Sequence, residues 1–143
     1  MPTVLLAEND LEQAKAYIAS LTLAGFQVIP VTNALGIEKV VKEQEIDIIV
    51  SDTELDQSHG DEICRKLFEE GKLKDILIIG MSNALDYEKY WISIAHDFLH
   101  KRTMPKFYDL GSVVKLLYNL FQKDSKMPRY KENPLKDRFK TFR

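Results

Sequence analysis

Three short apolar runs constrain the fold of this chain more than any other feature: TVLLA at residues 3–7, the run within IDIIVS at 46–51, and DILIIGM at 75–81. None alternates apolar with polar residues as a strand with one wet face does. Each therefore reads as a strand buried on both sides, the habit of a parallel sheet covered by helices. Between the runs the period changes. Leu11, Ala14, Ile18, Leu21 and Leu23 recur at mostly helical spacing and stop before Gly25, a residue suited to the turn past a helix end. FQVIP at 26–30 supplies another strand, and Asn33 can cap a helix carrying Leu35, Ile37, Val40 and Val41. An acidic loop follows the strand at 46–51, and Ile63, Cys64, Leu67 and Phe68 mark a third helix ending at Gly71. The spacing predicts a fourth helix over residues 83–95 with Leu85, Tyr90, Trp91 and Ile94, a fifth strand at 98–100, and a fifth helix capped by Asp109.

Five strands alternating with five helices predict an α/β fold, a doubly wound five-stranded parallel sheet with right-handed crossovers. In such sheets the functional crevice lies beyond the carboxyl ends of the strands. That rule selects Glu8, Asn9 and Asp10 after the first strand, Asp10 reading as the cap of the first helix rather than a ligand, Asp52 and Glu54 after the third, Ser82 and Asn83 after the fourth, and Lys101 after the fifth.

Length and charge bound the rest. The 143 residues suit one domain, residues 1–122, followed by a basic and flexible extension, residues 123–143. The extension holds eight Lys and Arg against three acids, a charge of +5, so the preceding residues carry -7. It is too short for a DNA-binding domain of its own. No apolar run approaches the ~20 residues of a membrane span, and the N-terminus does not read as a leader. The lone Cys64 can form no internal disulfide. A cytoplasmic location is the expectation. His59, His96 and His100 share no ligand spacing on one helix, which argues against zinc.

Carboxylates converging at one sheet edge repel one another unless a cation lies among them. Hard oxygen donors suit magnesium, which binds through one or two carboxylates together with a phosphate. A carboxylate at a rigid strand end, Asp52, can act as nucleophile toward a phosphoryl group. Such a transfer needs little beyond positioning and charge neutralisation. Lys101 can provide charge, and the Ser82 hydroxyl can donate to a phosphoryl oxygen.

Taken in order, VLLAEND, IDIIVSDTELDQSHG, ILIIGMSNA and AHDFLHK resemble the response-regulator receiver domain of two-component signalling, chemotaxis-regulator-like, over residues 3–122. The resemblance implies a flavodoxin-like strand order 2-1-3-4-5 and a stand-alone phosphorelay receiver. By resemblance Asp52 is the phosphoacceptor, and Glu8, Asn9, Asp52 and the Glu54 backbone carbonyl hold Mg2+. Ser82, Lys101 and Phe98 are then the phosphoryl-contacting and switch residues. The implied partners are a histidine kinase or phosphotransfer protein, and a downstream effector or second copy meeting the face of the fourth helix, fifth strand and fifth helix. Such a protein is no enzyme beyond catalysing its own phosphorylation and dephosphorylation. Asn9 stands where the family carries an acid, which implies weaker magnesium affinity. Asp56 and Arg102 replace prolines of the family pattern, and the missing proline after Lys101 implies a different loop path. These departures frame the alternative, a pseudo-receiver that acts by protein contact without phosphorylation. A flavodoxin-like cofactor binder is opposed by the acids after the first strand, where a Gly, Ser and Thr-rich loop is needed.

Overall fold

The computed structural model describes residues 1–101 and 109–123. The loop expected to take a new path after Lys101 and the basic extension beyond residue 123 lie outside the described residues. Strands β1 (Thr3–Ala7), β2 (Gln27–Val31), β3 (Ile48–Asp52), β6 (Leu77–Ser82) and β7 (Asp97–His100) form one parallel sheet in the order β2-β1-β3-β6-β7. This is the flavodoxin-like order expected. The strand numbers differ only because two short strands, β4 (Glu54–Leu55) and β5 (Ser58–His59), form a small antiparallel hairpin within the acidic loop.

Successive strand residues point to opposite faces, and the core divides accordingly. Val4, Leu6, Ile48, Val50, Leu77 and Ile79 pack with Tyr17 and Leu21 of helix α1 (Leu11–Leu23), and with Leu110, Val114 and Leu117 of helix α4 (Asp109–Lys123). Leu5, Ala7, Ile49, Ile78 and Phe98 pack on the other face with Ile37 of α2 (Ala34–Glu43), Cys64 and Leu67 of α3 (Gly60–Glu69), and Trp91. Both faces are covered, so the three central strands need no polar side. This is why their sequences read as unbroken apolar runs.

The local signals act largely as expected. The Asp10 carboxylate accepts from the backbone N–H groups of Glu12 and Gln13 at 3.0 and 3.1 Å and caps α1. Asn33 Oδ1 accepts from Gly36 N at 2.8 Å and caps α2. Gly25 takes φ +99° just past α1, a conformation that costs glycine little. Asp109 is already the first residue of α4 rather than its cap.

The predicted fourth helix does not form. Residues 83–95 hold one 3-10 segment, Leu85–Tyr90, followed by turns, and the described residues contain four α-helices rather than five. Packing decides this. Trp91 is fully buried, and its ring lies so close to the sheet that a Cβ on Gly80 would stand 2.3 Å from it. Seating the indole there draws the chain inward, and Ser93 follows at φ +83°, which no right-handed helix accommodates. The aromatic and β-branched residues of this segment have little helix preference with which to resist. No helix among the described residues is long and apolar enough to cross a membrane.

Candidate functional site

The sheet register brings four strand ends to one edge. Ala7 lies beside Ser51, Asp52 beside Met81, and Ser82 beside His100. The residues just beyond are held by continued backbone pairing, Glu8 N to Val31 O at 3.0 Å and Lys101 N to Ser82 O at 2.8 Å. Helix α3 presses on the same edge. A Cβ on Gly60 would stand 2.2 Å from the Asp52 carbonyl oxygen, so the residue that opens the helix must be glycine for the two backbones to meet.

On that edge the Lys101 ammonium donates to Glu8 Oε1 at 2.8 Å and to Asp52 Oδ1 and Oδ2 at 3.0 and 3.1 Å. Glu8, Asp52 and Lys101 are all buried, at 3%, 6% and 8% exposure. Glu8 Oε2 accepts from Asp10 N at 3.0 Å, which fixes its carboxylate. Two carboxylates share one ammonium, leaving one negative charge in excess when both are ionised. Burial first, and then a hydrogen bond with Glu8, push the Asp52 carboxyl up to about 8, against the opposite pull of Lys101. The Tyr17 ring lies 5.7 Å from the ammonium. Burial and the neighbouring Glu8 and Asp52 charges raise its phenol, which stays protonated.

The raised Asp52 carboxyl fixes the sign of a pH effect. The unfolded chain releases this proton near the ordinary carboxylate range and the folded chain holds it until about pH 8, so stability falls as pH rises between those limits. Asp52→Asn is therefore expected to be about 1–2 kcal/mol more stable than the wild type at pH 8 and level with it at pH 4. Urea unfolding at both pH values checks this. A variant less stable than the wild type at pH 8 would show that the ionised carboxylate is a net stabiliser.

These groups line a cavity of about 310 Å³ together with Asn9, Asp10, Gln13, Glu54, Ser82, Asn83, Ala84 and Tyr87. The structure thus gathers Glu8, Asn9, Asp52, Glu54, Ser82 and Lys101 around one space. Phe98 is elsewhere, fully buried beneath the sheet edge with Trp91. Ser82 Oγ accepts from Ala84 N at 3.0 Å, which leaves its hydroxyl hydrogen for another acceptor. Two departures from the family pattern meet each other, since Asn9 Nδ2 donates to Asp56 Oδ1 at 3.4 Å.

Among the described residues no three Asp, Glu, His or Cys side chains gather as a ligand group. A cation taken into this cavity would be held by the Glu8 and Asp52 carboxylates with neutral oxygens and water. That donor set suits Mg2+ better than the thiolate and imidazole sites of zinc or the oxygen-rich cages of calcium.

Sequence reasoning missed several neighbours. Tyr17 falls between Ala14 and Leu21 on the inward stripe of α1, so a stricter helical projection would have found it. Thr53 and Trp91 form a link that no spacing reveals. The indole N–H donates to Thr53 Oγ1 at 2.8 Å, and that hydroxyl donates to Met81 O at 2.9 Å. Tyr87 stands out in the sequence only as one of a cluster of aromatics; in the structure its hydroxyl donates to Glu54 Oε1.

Comparison with known proteins agrees with this fold. A family model described as the response regulator receiver domain matches residues 4–108. Transcriptional regulatory protein AfsQ1 of Streptomyces coelicolor is 30% identical over 109 residues, covering 76% of this chain and 48% of that protein. The chain thus spans about half the length of this curated relative. Among solved structures, a CheY-like receiver domain protein from Methanospirillum hungatei superposes with a TM-score of 0.74 at 16% identity, covering 87% of this chain and 98% of that one. Response regulator TrrA from Thermotoga maritima, solved in complex with Mg2+-BeF, gives 0.70 at 20% identity, covering 82% and 99%. At such identities the structural likeness shows the fold, and the family model extends it to descent. The chain belongs to the response regulator receiver domain family of two-component signalling.

Proposed function

We propose that the chain accepts a phosphoryl group on Asp52 from a histidine kinase or phosphotransfer protein and thereby changes its affinity for an effector protein. The observation that carries this reading is the buried contact of one Lys101 ammonium with both oxygens of Asp52 and with Glu8. Such a constellation presents a fixed carboxylate beside a fixed positive charge at the wall of an open cavity. In the transfer, an Asp52 oxygen attacks phosphorus while the bond from phosphorus to the donor imidazole breaks. The imidazole keeps the electron pair and takes up a proton, and Asp52 becomes an acyl phosphate.

The new group brings a charge of about -1.5 to -2. Lys101 leaves the Asp52 oxygens and follows the phosphoryl oxygens, and Ser82 turns its free hydroxyl hydrogen toward them. Glu8, Asp52, the Asn9 amide oxygen and the Glu54 backbone carbonyl would hold Mg2+, which when bound would supply the remaining positive charge. The neutral Asn9 makes this affinity weaker than an acid there would.

Transmission follows the strands. Phe98 lies beside Gly80 in the sheet register, two residues before Ser82. Movement of Ser82 and Lys101 therefore reaches Phe98, the 3-10 segment and α4, whose shared face changes its partner affinity.

With Mg2+ and a small phosphodonor such as acetyl phosphate, intact mass is expected to rise by one phosphoryl group in the wild type and not in Asp52→Asn. Beryllofluoride is expected to shift amide resonances around Ser82 and Lys101 only when Asp52 is present. No adduct and no Asp52-dependent shift would sink the proposal in favour of phosphorylation-independent protein contact.

A further inference from the structure

Asn9 and Asp56 lie 47 residues apart in the chain, yet both are held against the end of β2. Glu8 N donates to Val31 O at 3.0 Å, which fixes the loop that carries Asn9. Asp56, which with Gln57 turns the chain between β4 and β5, donates its own backbone N–H to Thr32 O at 3.1 Å. The Asp56 carbonyl accepts from Ser58 Oγ at 2.9 Å, and that hydroxyl oxygen accepts from Ala34 N at 3.0 Å. A proline at 56 would lack the N–H that reaches Thr32. So anchored, the exposed Asp56 carboxylate accepts from Asn9 Nδ2 at 3.4 Å. Asn9 lines the cavity around Asp52, and Asp56 stands outside its lining. An amide has one donor end and one acceptor end. With the nitrogen turned to Asp56, the oxygen is the end that Asn9 keeps for the cavity.

We infer that Asp56 is a positioning residue of the cation site: it holds the Asn9 amide with its oxygen toward the cavity and returns to the site part of the negative charge that Asn9 lacks. This rests on the reading of Asp52 as a phosphoacceptor that works with Mg2+. The chemistry is that of a carboxylate behind a metal-bound imidazole, which fixes the ligand's orientation and raises its basicity. A carboxylate on the N–H side draws the amide's electrons toward its oxygen, because hydrogen-bonded groups polarise one another. Without Asp56 the amide is free to present its NH2 group instead, an end that repels a cation. At 3.4 Å and in solvent the bond itself adds little to stability. Its effect is on which atom Asn9 offers, so it shows in metal affinity and not in folding. In this role Asp56 binds the amide, not the cation.

The test is Mg2+ binding to the full chain with no phosphodonor present. Calorimetric titration compares wild type, Asp56→Ala, Asp56→Asn, Asn9→Ala and the double variant Asn9→Ala/Asp56→Ala. Alanine at 56 keeps the backbone N–H to Thr32 and is expected to weaken Mg2+ binding roughly tenfold, the lower end of the loss seen when a group behind a metal ligand is removed. Asp56→Asn keeps an acceptor and drops the charge, and is expected to lose less. In the Asn9→Ala background there is no amide to orient, and removing Asp56 is expected to cost less than about twofold, the remainder left by a solvent-screened charge. The side-chain NH2 resonances of Asn9 are expected to shift in Asp56→Ala before any Mg2+ is added, and the metal-free thermal midpoint to stay at the wild-type value. A residue that serves only the turn would lower that midpoint and leave the Mg2+ affinity where it is. Equal affinity in wild type and Asp56→Ala, or the same loss with and without Asn9, overturns the inference, while an adduct on Asp52 leaves the proposed function standing. A wild type that binds no Mg2+ also overturns the inference, and if it forms no adduct from acetyl phosphate the proposed function falls with it.

Discussion

Lys101→Met is expected to lower the unfolding free energy by about 3 kcal/mol at pH 8, the scale seen when one member of a buried ion cluster is removed. The ammonium is the only cation within hydrogen-bonding distance of Glu8 and Asp52 among the described contacts, at 2.8, 3.0 and 3.1 Å. Methionine nearly fills the same volume, so the loss reads the charge rather than a cavity. Without Lys101 the two carboxylates repel each other at low dielectric, and protonation is their main escape. The destabilisation is therefore expected to shrink toward pH 5, where protons are available. Urea unfolding at both pH values, with Asp52→Asn and the double variant, completes a cycle. In the double variant only Glu8 remains, and the cost of losing Lys101 is expected to fall by more than about 1 kcal/mol, as contacting residues couple. A pH-independent loss, or strict additivity, would mean that the cluster is solvated and that Lys101 acts only as packing.

Trp91→Ala is expected to cost about 3–5 kcal/mol, the range for removing a large buried aromatic side chain. The indole is fully buried and lies over Gly80, and its N–H satisfies Thr53 Oγ1 at 2.8 Å. The truncation leaves a void beside β6 and frees the turn that follows the 3-10 segment. Gly80→Ala is the complementary test. Its new Cβ would lie 2.3 Å from the ring, forcing the indole outward at about 1–3 kcal/mol. Chemical denaturation measures both. Trp91 is the sole tryptophan, so the emission of Gly80→Ala is expected to shift toward that of a solvated indole. Gly80→Ala with wild-type stability and emission would show that the ring is free to relocate, and that its fit to the sheet does not shape residues 83–95.

The strands were legible because burial on both faces writes itself into composition. TVLLA, IDIIVS and DILIIGM can be little else in a chain of this size, and their order with the intervening helical periods fixes an α/β sheet. Short-range capping was legible too, at Asp10 and Asn33, because a cap depends on residues two or three positions away. The strand-end rule located Glu8, Asn9, Asp52, Glu54, Ser82 and Lys101, which the structure brings around one cavity. It placed them without distances, and it could not distinguish the cavity wall from the core beneath, where Phe98 lies.

The failure at residues 83–95 has the opposite cause. Leu85, Tyr90, Trp91 and Ile94 satisfy a helical period, and the period is silent about a glycine on a distant strand. Gly80 leaves a recess that an indole fills, and burying that ring outweighs the several helical hydrogen bonds the segment gives up. The sequence by itself determined the elements whose causes are local or compositional: buried strands, capped helices, the acidic loop, and the placing of Asp52 and Lys101 at strand ends. Only the tertiary structure decided what depends on side chains far apart in the chain. Lys101 meets Glu8 across 93 residues and Tyr87 meets Glu54 across 33. A period records which face a residue occupies, whereas a hydrogen bond across the cavity requires that two faces, each correctly read, arrive within about 3 Å of one another.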